Sequence, residues 1–268
     1  MTEAATAAPS RSAASAAVRL GGVSKAFGSG STALLALDNV SLDVATGEFV
    51  CLLGASGCGK STLLNLVADL DRPSAGTIDV GDARVALMFQ EPALFPWLNV
   101  TANIELALKM RGVPRGERRE RAAELLESVH LRDFARKRPH QLSGGMRQRV
   151  ALARALALTV SAKDGRGTVL LMDEPFGALD AMTRDLLHDE IERIWRERGL
   201  TVLFVTHNVR EAVRLGDRVV LLSSRPGRVV EQFDVPMDRP RRIDSPEVSS
   251  LAAHITDRLR EEVGRHGV

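Results

Sequence analysis

Apolar and polar residues alternate with strand spacing from Val18, and further along the chain the alternation gives way to runs that are apolar throughout. The segment 41–54, SLDVATGEFVCLLG, alternates and then turns apolar, as a strand does when it enters a core. Three later runs, VALMF (85–89), TVLLM (168–172) and TVLFV (201–205), are apolar on both faces. Such runs predict buried parallel strands that helices cover on both sides of the sheet.

Segments with helical spacing of apolar residues lie between these runs. They are STLLNLVADL (61–70) and the stretches 117–129, 146–158 and 183–198. Strands that alternate with helices along the chain predict an α/β fold. The segment 111–139 is dense in arginine and glutamate, and we interpret it as inserted helices with solvated faces rather than a nucleic-acid or lipid patch.

Both ends of the chain differ from its centre. Residues 1–17 are rich in Ala and Ser and lack the apolar region of a secretory signal, so we predict a disordered tail there. After the main domain, 18–235, only about one short helix is expected, AAHITDRLREEVG (252–264), so 236–268 is predicted to be a short helical extension. No apolar run approaches the roughly 20 residues that span a bilayer.

Composition narrows the class of protein. Hydrophobic residues make up 44% of the 268 positions, which is enough for a substantial core. Lys and Arg number 36 against 34 Asp and Glu, and this near-balance argues against a protein that coats nucleic acid. The two cysteines, Cys51 and Cys58, are too few for a disulfide framework and fit a reducing compartment.

The stretch GASGCGKS (54–61) matches the pattern G-x-x-x-x-G-K-[ST] between a predicted strand and a predicted helix, which is the context of a phosphate-binding P-loop. Its glycines let backbone N–H groups turn toward phosphate oxygens at a helix N-terminus. Lys60 is then expected to reach the β- and γ-phosphates, and Ser61 to bind Mg²⁺. The alternative is a chance glycine-rich turn. Cys58 is either a redox-sensitive thiol or a small residue at a permissive position.

Polar side chains follow three of the predicted strands. They are Gln90, the pair Asp173 and Glu174, and His207. Ligands of open α/β sheets bind beyond the carboxyl ends of the strands, so these side chains are expected to gather beside the P-loop. There Asp173 can hold Mg²⁺, Glu174 can polarise an attacking water and His207 can contact a phosphate. The alternative for the acidic pair is a helix cap followed by a surface glutamate.

A second glycine-rich stretch, LSGGMRQR (142–149), opens a predicted helix. Ser143 can cap that helix, and Gly144 and Gly145 leave backbone N–H groups uncovered, so the stretch is a second candidate anion site. It belongs to the helical segment and not to the strand edge where the P-loop lies. One nucleotide has little use for two such sites unless they face each other across a gap.

Together these motifs resemble those of the ATP-binding subunit of ABC transporters over roughly 18–235. GASGCGKST resembles the Walker A motif, VLLMDE the Walker B motif and LSGGMRQR the signature motif. Gln90 is similar to the Q-loop glutamine, GALD (177–180) to the D-loop and His207 to the switch histidine. The resemblance implies a RecA-like P-loop NTPase fold, in which a parallel-sheet core carries an antiparallel β subdomain and an inserted α-helical subdomain at about 98–160.

The resemblance also implies ATP and Mg²⁺ as cofactors and a site divided between two copies of the chain. In this family two subunits pair head-to-tail, so that each ATP lies between the P-loop of one and the signature helix of the other. The implied catalytic residues are Glu174, His207 and Lys60, and the implied magnesium ligands are Ser61, Gln90 and Asp173. The implied ATP contacts from the same chain are Phe27, Gly54, Ala55, Ser56, Gly57, Cys58, Gly59, Lys60, Ser61, Thr62 and Gln90. The implied contacts from the second copy are Leu142, Ser143, Gly144, Gly145, Met146 and Gln148, with the D-loop residues Ala178, Leu179 and Asp180.

A narrower resemblance concerns EPALFPWLNVTANIELAL (91–108), whose Pro-Trp pair follows Gln90 as in importers of the nitrate, sulfonate and taurine type. The later stretch SSRPGRVVEQFDV (223–235) is similar to the same subfamily. This resemblance implies transmembrane permease subunits as partners, a solute-binding protein as an indirect partner, no nucleic acid, and a peripheral location on the cytoplasmic face of the inner membrane. Trp97 is either a docking residue or a core residue.

Three features depart from the family pattern. Asp69 stands where glycine is usual, Asn208 follows His207 where aspartate is commoner, and the loop 159–167 is longer than the usual turn before the Walker B strand. Other readings are an importer of the same subfamily for a different small solute, a soluble ABC-type ATPase of DNA repair or translation, and a P-loop kinase of small molecules. A soluble ABC-type ATPase usually carries a long coiled-coil insert or two ATPase units. The stretch LSGGMRQR argues against a P-loop kinase.

Overall fold

The computed structural model describes residues 16–28, 33–160 and 166–265. Most of the predicted tail, 1–15, and much of the long loop, 161–165, lie outside the described residues. The strands are β1 (Ala16–Phe27), β2 (Leu34–Ala45), β3 (Phe49–Leu53), β4 (Ala75–Asp79), β5 (Arg84–Met88), β6 (Thr168–Asp173), β7 (Thr201–Val205), β8 (Arg218–Leu222) and β9 (Val229–Asp234). The α-helices are α1 (Lys60–Val67), α2 (Val100–Met110), α3 (Arg115–Ser128), α4 (Gly144–Leu158), α5 (Ala181–Arg198), α6 (Val209–Leu215) and α7 (Pro246–Arg265).

Two sheets organise the described residues. The larger has six strands in the order β5-β6-β7-β3-β8-β9, all parallel to their neighbours except β9, which runs antiparallel to β8. The smaller is antiparallel, with the order β2-β1-β4. The predicted α/β fold, a parallel-sheet core with an antiparallel β subdomain, is therefore confirmed.

The segment 41–54 forms parts of two strands rather than one. β2 ends at Ala45 in the antiparallel sheet, and β3 begins at Phe49 in the parallel sheet. The turn between them needs Gly47, which has φ +79°, a conformation that costs glycine little. Thr201 fixes this turn, because its hydroxyl oxygen accepts a hydrogen bond from the Gly47 N–H at 3.0 Å.

The central strands are apolar throughout because both faces of the parallel sheet are covered. Along β3, Phe49, Cys51 and Leu53 face one hydrophobic cluster, which includes α4, α5 and α6, whereas Val50 and Leu52 face a second, formed with α1 and the antiparallel sheet. This is the arrangement that runs without polar positions predict. Because all parallel strands end at one edge, the loops that follow β3, β5, β6 and β7 lie close together.

Helices α2, α3 and α4 form the region inserted between β5 and β6. In α3, Ala122, Leu125 and Leu126 are buried, while the charged face is solvated and carries the ion pair of Arg121 with Glu117 at 3.0 Å. The arginine-dense stretch is thus an amphipathic helix, as its glutamates indicated. Among the described residues, no helix is long and apolar enough to cross a membrane.

The C-terminal helix α7 starts six positions before the predicted 252–264 helix, at Pro246. Its inner face, formed by Val248, Ala252 and Ile255, joins the larger hydrophobic cluster. The buried Arg241 precedes the helix and donates hydrogen bonds to backbone oxygens at the end of α6, including that of Gly216 at 2.5 Å. Burial lowers the pKa of this guanidinium to about 10, still well above neutral pH.

Candidate functional site

The P-loop lies between β3 and α1, at the edge where the parallel strands end. Gly59, the residue before α1, has φ +98°, and a Cβ atom there would lie 2.6 Å from Leu37 Cδ2 and 2.9 Å from Ala36 O. Glycine is therefore required for both its dihedral angle and its packing. No described side chain caps α1, so N–H groups of its first turn are available to an anion.

The Lys60 side chain is buried and turned back on the loop. Its Nζ donates hydrogen bonds to the Gly54 and Ala55 carbonyl oxygens, each at 2.8 Å, and lies 3.7 Å from Cys58 Sγ. These carbonyls hold the ammonium group at the loop. Cys58 is itself buried, which favours its role as a small packing residue over that of an accessible thiol.

A carboxylate and a hydroxyl meet behind the P-loop. Asp173, the last residue of β6, is buried, and its side chain hydrogen-bonds with that of Ser61 in α1. Burial raises the pKa of the Asp173 carboxyl, and the charge of Glu174 raises it further, whereas the Ser61 hydrogen bond and the Lys60 charge lower it. The two oxygen-bearing side chains have the chemistry that a hard cation prefers.

Glu174 is held in an unusual backbone conformation. Its φ is +47°, in the left-handed region that costs a residue other than glycine of order 1–3 kcal/mol. Its N–H donates to Val205 O at 3.0 Å, which extends the pairing of β6 with β7. The carboxylate Oε2 then lies 3.2 Å from His207 Nδ1 and 3.5 Å from Gln90 Nε2. The three strand-end side chains therefore converge, as their positions predicted.

A cleft of about 260 Å³ opens in front of the P-loop. It is lined by Phe27, Leu34, Ala36, Ser56, Gly57, Gly59, Lys60, Ser61, Thr62, Gln90, Glu174 and Arg225. Most of the residues that the motifs predicted to bind ATP therefore line this cleft. Gly54, Ala55 and Cys58 are not among its lining residues, while Asp173 and His207 lie beside it through their contacts with Ser61 and Glu174.

Arg225 is a cleft residue that belongs to none of the motifs described above. It lies in the turn between β8 and β9, 168 positions from Gly57 along the chain, and its Nε donates to Gly57 O at 3.2 Å. The stretch SSRPGR is similar to one importer subfamily, and that similarity assigns no role to Arg225. No periodicity or spacing within the sequence indicates that this turn reaches the P-loop.

The signature stretch lies at the start of α4 and does not line this cleft. Ser143 caps the helix, since its Oγ accepts a hydrogen bond from Met146 N at 3.2 Å. Ser143 and Gly144 are exposed, whereas Leu142 and Gln148 are buried within their own chain. The exposed part of the stretch is therefore the N-terminal turn of α4, where the helix N–H groups face solvent.

The D-loop packs against this first turn within the same chain. A Cβ atom on Gly145 would lie 3.2 Å from both Ala178 O and Leu179 Cδ2. Asp180 caps α5, and hydrogen bonds from the backbone and side chain of Thr183 lower the pKa of its carboxyl. The signature stretch and the D-loop are thus two parts of one exposed ridge.

The two substituted motif positions keep the local geometry of the fold. Asp69 follows α1 with φ +55°, which explains why glycine is usual at this position. Asn208 caps α6 by accepting a hydrogen bond from Glu211 N at 3.2 Å through Oδ1, as an aspartate could. Both departures affect turns and caps rather than the convergence of Glu174 with His207.

Comparison with known proteins adds relatives over most of the chain. The sequence profile of the ABC transporter family matches residues 37–177. An aliphatic sulfonates import ATP-binding protein, SsuB 1 of Mesorhizobium japonicum, is 46% identical over 89% of this chain and 86% of its own length. A protein of the same name from Burkholderia lata is 47% identical over 92% of this chain and 72% of its own length.

Solved structures of similar fold also exist. A dimeric structure of the ATP-binding cassette MJ0796, in a post-hydrolysis state bound to ADP and Pi, matches with a TM-score of 0.73 and 34% identity. The match covers 82% of this chain and 100% of that one. A second dimeric structure of the same bacterial ABC transporter cassette matches with a TM-score of 0.72 and 35% identity.

Proposed function

The chain belongs to the family of ABC transporter ATP-binding subunits, and from that membership we propose that it powers an importer by binding and hydrolysing ATP as a head-to-tail homodimer. The observation that carries the proposal is the convergence of Glu174 with His207 and Gln90 beside a P-loop whose lysine is held at the loop by the Gly54 and Ala55 carbonyls. A site that bound nucleotide without hydrolysing it would not need a carboxylate held at this point.

Within one chain, the cleft supplies the groups for phosphate binding and for activation of water. Lys60 moves from the loop carbonyls to the β- and γ-phosphates, and N–H groups of the P-loop and the first turn of α1 hold the same oxygens. Glu174 orients and polarises the attacking water, and His207 contacts the γ-phosphate from the adjacent strand end. Phe27, 44% exposed at the rim, stacks on the adenine.

Mg²⁺ fits the residues behind the P-loop. Ser61 and Asp173 are already hydrogen-bonded to each other, and Gln90 lines the same cleft with an amide oxygen. These are the hard oxygen donors that magnesium takes in nucleotide sites. A bound cation offsets the cost of the buried Asp173 carboxylate and the charge on the phosphates.

The second copy of the chain completes the site. Ser143 and Gly144 are exposed at the start of α4 and do not line the cleft of their own chain. Their helix N–H groups therefore bind the γ-phosphate of a nucleotide held by the partner. The D-loop residue Asp180 lies on the same ridge. ATP then joins the two chains, and its hydrolysis releases them.

Membrane subunits dock beside the signature helix, on the segment after Gln90. Trp97 is 69% exposed there and its ring lies 5.5 Å from that of Phe95. Arg154 of α4 donates hydrogen bonds to Pro92 O and Ala93 O at 2.9 and 2.7 Å, so this segment moves with the signature helix. Exposed aromatic residues on a segment tied in this way suit a permease contact at the cytoplasmic face of the membrane.

The transported solute belongs to the sulfonate class. The relatives from Mesorhizobium and Burkholderia are named for aliphatic sulfonates, and the Pro-Trp pair after Gln90 points to the same subfamily. A solute-binding protein selects the cargo outside the membrane and delivers it to the permease.

Reconstitution tests the proposal. The chain, its permease subunits and the binding protein are placed in proteoliposomes, and ATP hydrolysis is measured with ethanesulfonate, taurine or nitrate. Stimulation by a sulfonate, absent with Glu174→Gln, is the expected result. Stimulation by nitrate alone would overturn the solute class, and no Mg·ATP hydrolysis by any assembly would overturn the function.

A further inference from the structure

We propose that Arg225 is a further nucleotide-binding residue, whose guanidinium contacts the phosphate chain of the nucleotide held by its own P-loop. The inference rests on the proposed function, because it takes the cleft in front of the P-loop as the nucleotide site. It adds a cation from the β8–β9 turn to the groups that the motifs supply.

The position of the guanidinium is the first observation. Arg225 lines the cleft with Ser56 and Lys60, and its Nε donates to Gly57 O at 3.2 Å. A Cβ atom on Gly57 would lie 3.0 Å from Arg225 Nη2. The guanidinium therefore covers the backbone of the middle of the P-loop, and its terminal nitrogens lie at the rim of the cleft.

The turn that carries Arg225 is well fixed. Ser223 N donates to Arg228 O at 2.9 Å, and Ser223 Oγ donates to Pro226 O at 2.7 Å, so the turn is closed by its own hydrogen bonds. Gly227 N donates to Ala36 O at 2.8 Å, and a Cβ atom on Gly227 would lie only 2.1 Å from Cys58 O. The turn is therefore pressed against both β2 and the P-loop, which positions the side chain between them.

Charge is the third observation. Arg228, in the same turn, is paired with Asp38, its Nε 2.9 Å from Asp38 Oδ2. Arg225 has no such partner: within the described residues it makes one hydrogen bond, to Gly57 O, and no ion pair with a carboxylate. The Arg225 side chain is exposed, and no atom of the described part of the chain accepts a hydrogen bond from its two terminal nitrogens.

A polyphosphate is the acceptor that suits this arrangement. The planar guanidinium binds phosphate oxygens through two parallel N–H bonds, and the P-loop beneath it is already an anion site. The cleft also contains Glu174 and adjoins Asp173, two carboxylates that repel a nucleotide. Arg225 and Lys60 both line this cleft, so two cations balance these two acids before the polyphosphate binds.

Binding measurements on the full-length chain test the proposal. Affinities for ATP, ADP and adenosine are measured without Mg²⁺, at protein concentrations where sizing chromatography shows only monomer. We expect Arg225→Ala to weaken ATP and ADP binding about tenfold and to leave adenosine binding unchanged, because only the phosphate contact is lost. Arg225→Lys should recover part of the loss, since it keeps the charge without the planar geometry.

Two controls separate the possible failures. Arg228→Ala removes a cation from the same turn, outside the cleft lining, and should bind all three ligands as wild type does. Lys60→Ala reports on the proposed function, because a P-loop that held no phosphate would tolerate it. Wild-type ATP affinity in Arg225→Ala, while Lys60→Ala binds weakly, would overturn this inference alone. An equal loss of adenosine and ATP binding would overturn it as well.

Discussion

The P-loop and the signature stretch are both glycine-rich helix starts, yet their surroundings differ. At the P-loop, Gly59 is pressed against Leu37, and a lysine, a carboxylate and an aromatic ring converge on one cleft. At the signature stretch, a Cβ atom on Gly144 would meet nothing closer than Arg147 Nη2 at 4.0 Å. The N-terminus of α1, at the P-loop, is enclosed by its own chain, whereas the N-terminus of α4, at the signature stretch, is open.

This difference shows what a helix N-terminus does and does not supply. The N–H groups and the dipole attract an anion at either place, with a contribution of about 0.3–1 kcal/mol at an exposed terminus. Tight binding and chemistry need further charges at fixed distances, and only the P-loop has them in its own chain. The signature stretch can act on a nucleotide only when a second chain brings one to it.

The largest expected effect comes from Lys60→Ala. Removal of the ammonium should weaken ATP binding at least about 100-fold and abolish measurable hydrolysis, because the loop N–H groups alone cannot balance the β- and γ-phosphate charges.

Ser143→Arg should also abolish hydrolysis while a single chain still binds ATP with wild-type affinity. Lys60→Ala destroys the P-loop half of the site, and Ser143→Arg destroys the signature half. Nucleotide titration distinguishes the two variants by ATP affinity, and a phosphate-release assay measures the hydrolysis that both should lose.

A mixture of these two inactive variants tests the comparison directly. A head-to-tail dimer of one Lys60→Ala chain and one Ser143→Arg chain contains one site with both halves intact. Statistical pairing makes half of the dimers mixed, so an equal mixture should recover about a quarter of the wild-type rate if the two sites act independently. A mixture as inactive as its components at every ratio would count against a shared site, provided mixed dimers are detected by crosslinking.

Glu174→Gln should have the next largest effect. The amide keeps the size of the side chain but cannot polarise water, so turnover should fall by about 10²–10⁴ while ATP binding persists. Because the nucleotide then stays between the two chains, a closed dimer should accumulate with ATP and Mg²⁺ and be visible by sizing chromatography. Glu190→Gln, which changes a carboxylate paired with Arg193 on α5, is the matched control. A Glu174→Gln chain that stays monomeric with ATP would remove the main support for the shared site.

Much of the P-loop cleft could be predicted from the sequence because its parts are local. The glycines, Lys60 and Ser61 lie within eight residues, and the convergence of Gln90, Glu174 and His207 follows from the rule that parallel strands end at one edge. The strand-helix alternation was equally local, and it predicted the α/β fold. The roles of these residues in hydrolysis stay predictions until the variants are measured.

Other features depend on contacts that no local pattern encodes. Arg225 reaches the P-loop only because β8 pairs with β3 and the following turn packs on Cys58. The break between β2 and β3 lies at Thr46, Gly47 and Glu48, which interrupt the apolar positions, but only the strand pairing shows that the two strands belong to different sheets. Gln148 is buried in its own chain, although the resemblance implied that it contacts a nucleotide held by the second copy, and no local pattern indicated this burial.

The smallest expected effect distinguishes the two glycines of the signature stretch. Gly145→Ala places a methyl group 3.2 Å from Ala178 O and Leu179 Cδ2, so these atoms must shift by a few tenths of an ångström. We expect this crowding to outweigh the gain in helix propensity, with a net loss of about 1 kcal/mol, or about 2–4 °C in melting temperature. Gly144→Ala meets only Arg147 Nη2, at 4.0 Å, and should leave the melting temperature unchanged or slightly raised, because alanine favours the helix.

ATP-dependent dimer formation should show the opposite order of effects if the open side of the ridge faces a partner's nucleotide. The Gly144 methyl group then stands between the helix N–H groups and the phosphate, so Gly144→Ala should weaken ATP-dependent dimer formation although the chain is fully stable. Calorimetric melting and sizing chromatography with ATP, both applied to each variant, make the test. Wild-type dimer formation by Gly144→Ala would mean that no phosphate approaches this turn closely, and the contrast between the enclosed and the open helix start would then have no bearing on nucleotide binding.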